Sequence, residues 1–574
     1  IERIEVFRGP NTVSYGANAL MAVVNILTRS PANSHGSRVK VIRGERGIND
    51  FYASQGVGWE TGDLRLSMSG QQDDGVDSDA VGADRRDGRR LNRFSLAVSQ
   101  TLNAQQSIDW QFNAKEGTNQ RPYTYAPVFA GITEGGTNSD VVAKDYSGSM
   151  RWNIEFNPEH SLYIQGSAQQ WDRQQVWKAC DAKVSFSPEL TRLWQLNPNY
   201  AERLARHMGA YSPDNLPNGN SAEQALAKQV LEQWRDGANQ SVCGDIDQST
   251  RESRYDLEIQ DTLSLSDSLR LVSGMNYRYD RADSDTYFNG TLDDTTWRLF
   301  GHLEWRASEH WLLQGGAMYE DTYLSGNSLT PRVAVNYLIN PRHGLRAVYS
   351  EAIRSPDMFE NNVNWSYRVT NLSSPAYGQN SGQYFVVTRG PGNLDKELMR
   401  SRELGYNGFF ADLGLNVDVK LFYDEITAMI SSPLRNNQYI ASNANSARFT
   451  GAESQFDWRM SSADRLRLTY AYVDATSSNP LDKAQTARNS GSAGWLREWG
   501  HGWSSALFYY GDDALNQYRF ERVDLRVAKR IALGKANVEL AGMLQQRLDN
   551  QPTTWADNNY DSRHVLYFSA ELEF

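Results

Sequence analysis

The sequence predicts an all-β protein, a 22-stranded antiparallel transmembrane β-barrel, and three observations carry that expectation. No run in the 574 residues approaches the ~18 consecutive apolar residues a membrane-crossing helix needs, and mean hydropathy is −0.62. Aromatics nevertheless reach 11%, with 29 Tyr, 20 Phe and 16 Trp beside 44 Gly. A polar chain rich in Tyr and Trp suits a barrel whose outer apolar band is framed by aromatic girdles. Finally, short alternating segments are joined by connections that are in turn short and long.

Alternation marks strands because successive side chains point to opposite faces. Leu413, Leu415, Val417, Val419, Leu421 and Tyr423 alternate with Asp412, Gly414, Asn416, Asp418, Lys420 and Phe422. Tyr146 to Phe156, Leu466 to Tyr472 and Leu566 to Phe574 repeat the pattern. In order, the segments are 38–46, 49–58, 62–71, 91–101, 105–115, 145–156, 160–171, 254–264, 267–280, 294–306, 309–320, 330–338, 342–350, 401–410, 413–424, 449–458, 463–473, 488–498, 501–511, 521–530, 534–546 and 562–574. Short turns on one rim and long loops on the other are the outer-membrane arrangement. The even count places both barrel ends on the short-turn, periplasmic side. A barrel of this width cannot be filled by side chains and needs a plugged lumen. Residues 1–37 are therefore read apart from the barrel, 38–574. A propeller would need a per-blade repeat, and none is found.

The two longest connections are 172–253 and 351–400. Within 172–253, Ser187-Pro188-Glu189 and Asn197-Pro198 each read as a capped helix start with Pro at the first position. Ser221-Ala222-Glu223-Gln224 reads as a capping box, followed by Leu226, Val230, Leu231 and Trp234 near helical spacing. The expectation is a partly helical extracellular loop. Cys180 and Cys243, the only cysteines, bracket it and predict a disulfide on a secreted protein. No histidine lies close to either, which disfavours a metal-binding pair.

The 58 basic residues face 69 acidic ones, a net charge of −11, which argues against nucleic-acid binding. Of the basic residues 47 are Arg, suited to bidentate contacts with carboxylates and phosphates, as on lipopolysaccharide or an anionic ligand. Genomic composition explains the same count. No Ser/His/Asp or Asp/His cluster stands at the rim, so no enzyme is expected.

Ile1-Glu2-Arg3-Ile4-Glu5-Val6-Phe7-Arg8-Gly9-Pro10 leads into Ser14-Tyr15-Gly16 and then Met21-Ala22-Val23-Val24-Asn25-Ile26-Leu27-Thr28. This resembles the closing plug segment of TonB-dependent outer-membrane receptors, with Met21-Ala22 in place of the usual glycine pair. Ser350 to Pro356 with Glu360 resembles the motif that opens a long extracellular loop. Asn393-Leu394 with Arg402-Glu403-Leu404-Gly405-Tyr406, Phe449-Thr450-Gly451-Ala452-Glu453 and the terminal Phe574 follow in the family's order. The resemblance implies a monomeric receptor in a Gram-negative outer membrane. It implies active uptake driven by the TonB–ExbB–ExbD complex through a TonB box, which is expected upstream with a leader and the rest of the plug. It also implies a latch in which Arg8 of the plug meets Glu403 and Glu453 of the barrel.

For the ligand, the family default is a ferric siderophore, with Arg121, Tyr123, Tyr125, Trp365, Tyr367, Arg368, Arg435 and Tyr439 as candidate contacts. Each also reads as ordinary loop surface or interface belt. No histidine lies between Arg354 and Leu394, where haem receptors of the family usually carry one. Cobalamin is the alternative. Asp73, Asp74, Asp77, Asp79 and Asp84 are oxygen-rich enough for Ca²⁺, as in calcium-ordered loops of cobalamin receptors, although a solvated acidic loop reads equally. A passive porin or a phage or toxin receptor is the reading from another class.

Overall fold

The computed structural model describes residues 1–75, 77–78, 86–121, 137–430, 441–515, 518–549, 559–560 and 563–574. These residues form a closed barrel of 22 strands. Neighbours in the ring pair antiparallel, and His564–Glu573 closes it by pairing with both Ala536–Arg547 and Gly36–Gly44. The segment 488–498 is the strand Asn489–Gly500. No described helix is long and apolar enough to cross a membrane.

The alternation sorts side chains between lipid and lumen. On adjacent strands Leu404 opposes Leu421 and both are more than half exposed on the outer wall, while Ser401 and Lys420 are buried on the inner side. Trp59, Phe156, Trp305, Trp311, Phe410, Trp458, Trp499 and Trp503 stand exposed where strands meet short turns. They form the girdle that anchors a barrel at a membrane–water boundary.

Inside the barrel, Arg3–Arg8 and Ala22–Leu27 make an antiparallel hairpin. Between them a single helical turn, Thr12–Tyr15, lies against the four wall strands from Gly290–Arg306 to His343–Arg354. Gly16 ends that turn at φ +84°, and a Cβ there would come within 3.1 Å of the Arg298 guanidinium. A side chain at this bend would be strained and crowded together.

Outside the barrel, the two long loops fold into one cap. Its sheet runs Val176–Ala182, Ser241–Asp247, Asn364–Thr370, Gly382–Arg389. Only Asp245↔Thr370 and Ile246↔Val369 join the two loops in the ladder. Cys180 and Cys243 sit directly opposite on the first pair and form a disulfide. Three helices follow, Pro188–Leu196, Pro198–Arg206 and Ser221–Gln233. The first two are capped by Ser187, accepting from the Leu190 N–H, and by Asn197, accepting from the Tyr200 N–H. The third start differs from the sequence expectation by one residue. Asn220, not Ser221, caps it, because the Asn220 carboxamide reaches the Glu223 N–H while the Glu223 carboxylate accepts from the Asn220 N–H. Leu190, Leu193, Leu204, Met208, Val230 and Leu231 bury a dry core, to which Val387 of the other loop contributes.

Candidate functional site

Two charged places in the lumen lie against the hairpin and its turn. The lower one lies where the hairpin inside the barrel meets the wall. Arg8 ends its strand with the guanidinium 2.8 Å from Glu453 and 3.0 Å from Asp418. Both carboxylates have a second cation on the wall. Lys420 is 3.2 Å from Glu453, and Arg346 is 3.2 Å from Asp418. Glu403 departs from the expected arrangement. It is held by Arg346 at 2.7 Å and by Lys420 at 4.0 Å, rather than by Arg8. Arg346, on the adjoining strand, reaches Glu403 within the wall itself. Asp418 takes the second place beside Arg8. Arg332 donates to the Pro10 carbonyl at 3.0 Å and fastens the residue after Gly9 to the wall. Arg8, Pro10, Arg332, Arg346, Glu403, Asp418 and Lys420 border a cavity of about 510 Å³.

The helical turn of the hairpin reaches the base of the cap. Thr12 accepts from the Ile353 N–H, and the Asn18 N–H donates to the Ile353 carbonyl at 2.9 Å. The next residue, Arg354, grips Glu360 at 2.9 Å and Glu397 at 2.8 Å, which ties the loop's outgoing and returning ends together. Buried Glu320 accepts from Arg298 at 2.7 Å, from Lys396 at 3.2 Å and from the Ser355 hydroxyl at 3.1 Å. Hydrogen bonds at Thr12 and Asn18 thus join the turn to Ile353, next to the ion pairs at the cap's lower edge.

Above that turn is the upper place, a cavity of about 280 Å³ bordered by Asn18, Trp171, Arg254, Arg278, Phe288 and Phe359. Arg254 and Arg278 share one carboxylate, Asp280, at 2.6 and 2.8 Å. Arg254 also lies over the Trp171 ring, 5.8 Å from its centroid. Asp357 borders the same cavity, and burial pushes its carboxyl above the usual carboxylate range. Arg281, Glu252 and Asp294 line it as well, so three guanidiniums and four carboxylates stand beside aromatic side chains, a mixed-charge surface that can hold a flat polar ligand.

The residues proposed as ligand contacts are placed differently. Trp365 and Tyr367 pack edge-on against each other and against Tyr287, Phe359 and Trp177, so their rings are spent on the cap's own packing. Arg368 is exposed and 3.5 Å from Asp285. Arg121 is exposed, with its N–H donating to Asp140. Tyr123, Tyr125, Arg435 and Tyr439 lie outside the described residues, as do Asp79 and Asp84 and the side chain of Asp77. Asp73 is paired with Arg89 at 2.7 Å, and the Asp74 N–H donates to the Arg46 carbonyl. Among the described residues no group of three potential metal ligands is found.

The family pattern described as TonB dependent receptor-like, beta-barrel, matches residues 40–543. The chain belongs to the TonB-dependent receptor family. Its barrel is that of an outer-membrane protein. It is 22% identical over 445 residues to the ferrienterobactin receptor of Escherichia coli (strain K12), covering 71% of this chain and 53% of that protein. It is 20% identical over 456 residues to the vitamin B12 transporter BtuB of Vibrio cholerae serotype O1, covering 78% of this chain and 58% of that protein. The chain thus spans little more than half the length of the curated relatives it matches. Among solved structures, the siderophore receptor PirA from Pseudomonas aeruginosa superposes with a TM-score of 0.67 at 14% identity, covering all of this chain and 86% of that one. The copper transporter OprC gives 0.65 at 15% identity, covering 99% and 85%. At such identities the likeness carries the fold alone.

Proposed function

We propose that this chain belongs to a receptor that actively takes up a scarce, bulky nutrient across the outer membrane, with a ferric siderophore as the first choice of ligand. One observation supports transport above all: the Arg8 latch is built to release. Arg8 and Asp418 keep side-chain exposures of 33% and 23%, so water can replace that pair, while the buried Glu453 oxygen that meets Arg8 also faces Lys420. Such contacts are worth on the order of 1–3 kcal/mol each when partly buried, and less when solvated. Lys420 and Arg346 remain beside the two carboxylates when Arg8 leaves, so no charge is orphaned on the wall. A pull from the TonB–ExbB–ExbD complex, acting through an upstream TonB box, would separate plug from wall at small cost while the barrel ladder stays intact.

The ligand choice rests on the cavity above the plug tip. Trp171, Phe288 and Phe359 beside Arg254, Arg278 and Arg281 suit a flat-faced chelate whose polar groups also meet Glu252, Asp280, Asp294 and Asp357, and a relative is named as a ferrienterobactin receptor. Cobalamin is the second reading, because another relative is named as a vitamin B12 transporter. The test is the abundance of the protein in outer membranes of cells grown with an iron chelator, with excess iron, and with or without cobalamin. A strong rise under chelation is expected. Repression by cobalamin with no response to iron would transfer the assignment to the vitamin. Indifference to both would remove both ligands.

A further inference from the structure

The outer wall carries a feature that uptake does not use. Strands Gly326–Asn340, His343–Arg354, Glu397–Phe410 and Leu415–Met429 leave a shallow groove of about 540 Å³ on the lipid side. Its floor is one cross-strand row, Val335, Ala347, Leu404 and Leu421, and the small Ala347 makes the depression. The row above is Val333, Tyr349, Arg402 and Tyr423, and the next is Glu351, Arg400, Glu425 and Arg448. An apolar trough therefore ends, on the long-loop side, in a crown of guanidiniums.

The crown holds three arginines against two carboxylates. Arg400 is 3.2 Å from Glu351, Arg402 is 3.3 Å from Glu425, and Arg448 is 3.7 Å from Glu425. Arg402 and Arg448 both lie over the Tyr423 ring, at 5.4 and 5.7 Å. Each guanidinium offers five N–H donors, so most of this capacity points outward. The strands are already joined by continuous backbone ladders, and exposed ion pairs add little to such a frame. Depth fits a boundary role. Eight residues up a tilted strand from rim-facing Phe410 to Arg402 is roughly 20 Å, close to the ~25 Å height of the apolar band, where a lipid-facing arginine is tolerated.

We propose that this groove binds a phosphorylated acyl lipid of the outer leaflet, with an acyl chain along Val335, Ala347, Leu404 and Leu421 and the phosphate among Arg400, Arg402 and Arg448. Charge complementarity selects this occupant: a crown with one guanidinium in excess, directly over an apolar trough, matches an anionic headgroup on a hydrocarbon tail.

The test is native mass spectrometry of the full chain in detergent, with lipid A or phosphatidylglycerol added as the probe. The variants are the triple change Arg400→Gln, Arg402→Gln and Arg448→Gln, the groove-filling Ala347→Trp, and Leu299→Trp as a bulky control on another part of the outer wall. Barrel integrity is checked by heat-dependent gel mobility. Lipid A retention should fall about tenfold in the triple variant, fall in Ala347→Trp and hold in Leu299→Trp. Phosphatidylglycerol retained with the same arginine dependence would support the site and widen its ligand to phospholipids. Equal retention by all variants, equal loss in Leu299→Trp, or no retention of either lipid by the unmodified chain would overturn the proposal.

Discussion

In the cap, Leu193, Leu204, Val230 and Leu231 are wholly shielded and a disulfide crosses the sheet beneath them. In the lumen, Arg8 is one-third exposed and fastened by two ion pairs that each have a wall cation in reserve. Dry apolar burial falls off only when a whole unit opens, whereas wet ion pairs exchange one at a time with water and salt. The comparison assigns permanence to the cap and reversibility to the Arg8 contact.

The largest effect should come from the staple. Cys180→Ser with Cys243→Ser removes a link with a sequence separation of 63 residues, worth about 4 kcal/mol in the chain-entropy model. Hydrogen exchange across Pro188–Gln233 should accelerate steeply while the barrel strands stay protected. Unchanged protection would show that the helical core is sufficient alone. Next, Leu204→Ala should lower the local opening energy of the same helices by about 3 kcal/mol, with no effect on the Arg3–Arg8 amides. Glu453→Gln should do the reverse. It should loosen Arg3–Arg8 by about 1 kcal/mol and weaken the salt dependence of that segment's exchange, leaving the cap untouched.

The smallest effect is pH dependence at the third cap helix. The Asn197 side chain and the Asn220 N–H hold the Glu223 carboxyl below its ordinary value. A lowered folded pKa adds stability that is complete above the ordinary carboxylate pKa and is lost as pH falls through the lowered one. Protection of Ser221–Gln233 should therefore decline on acidification in that window, and Glu223→Gln should flatten the decline.

Much of this was legible in the sequence, for physical reasons that also explain the gaps. Period-two alternation located the barrel because lipid and lumen impose opposite solvents on successive residues. Cap starts at Ser187 and Asn197 were legible because capping is local, yet Asn220 was passed over for Ser221, since either residue can cap a helix and only geometry chooses. The cap sheet was invisible to any local pattern, because Asp245↔Thr370 pairs residues 125 positions apart. At the latch, Arg8 and Glu453 came from resemblance. Asp418 and Lys420 were missed although both were signalled. They stand at inward positions of the strand that alternates Leu415, Val417, Val419 and Leu421, where a charge must face the lumen.

Saturable uptake measured in energised cells carrying the full-length receptor tests the central claim most directly. Iron-starved cells should take up radiolabelled ferric siderophore to saturation, and collapsing the proton gradient should abolish entry while surface binding persists. Entry that rises linearly with concentration and ignores the gradient would mean an open pore, and would contradict the account.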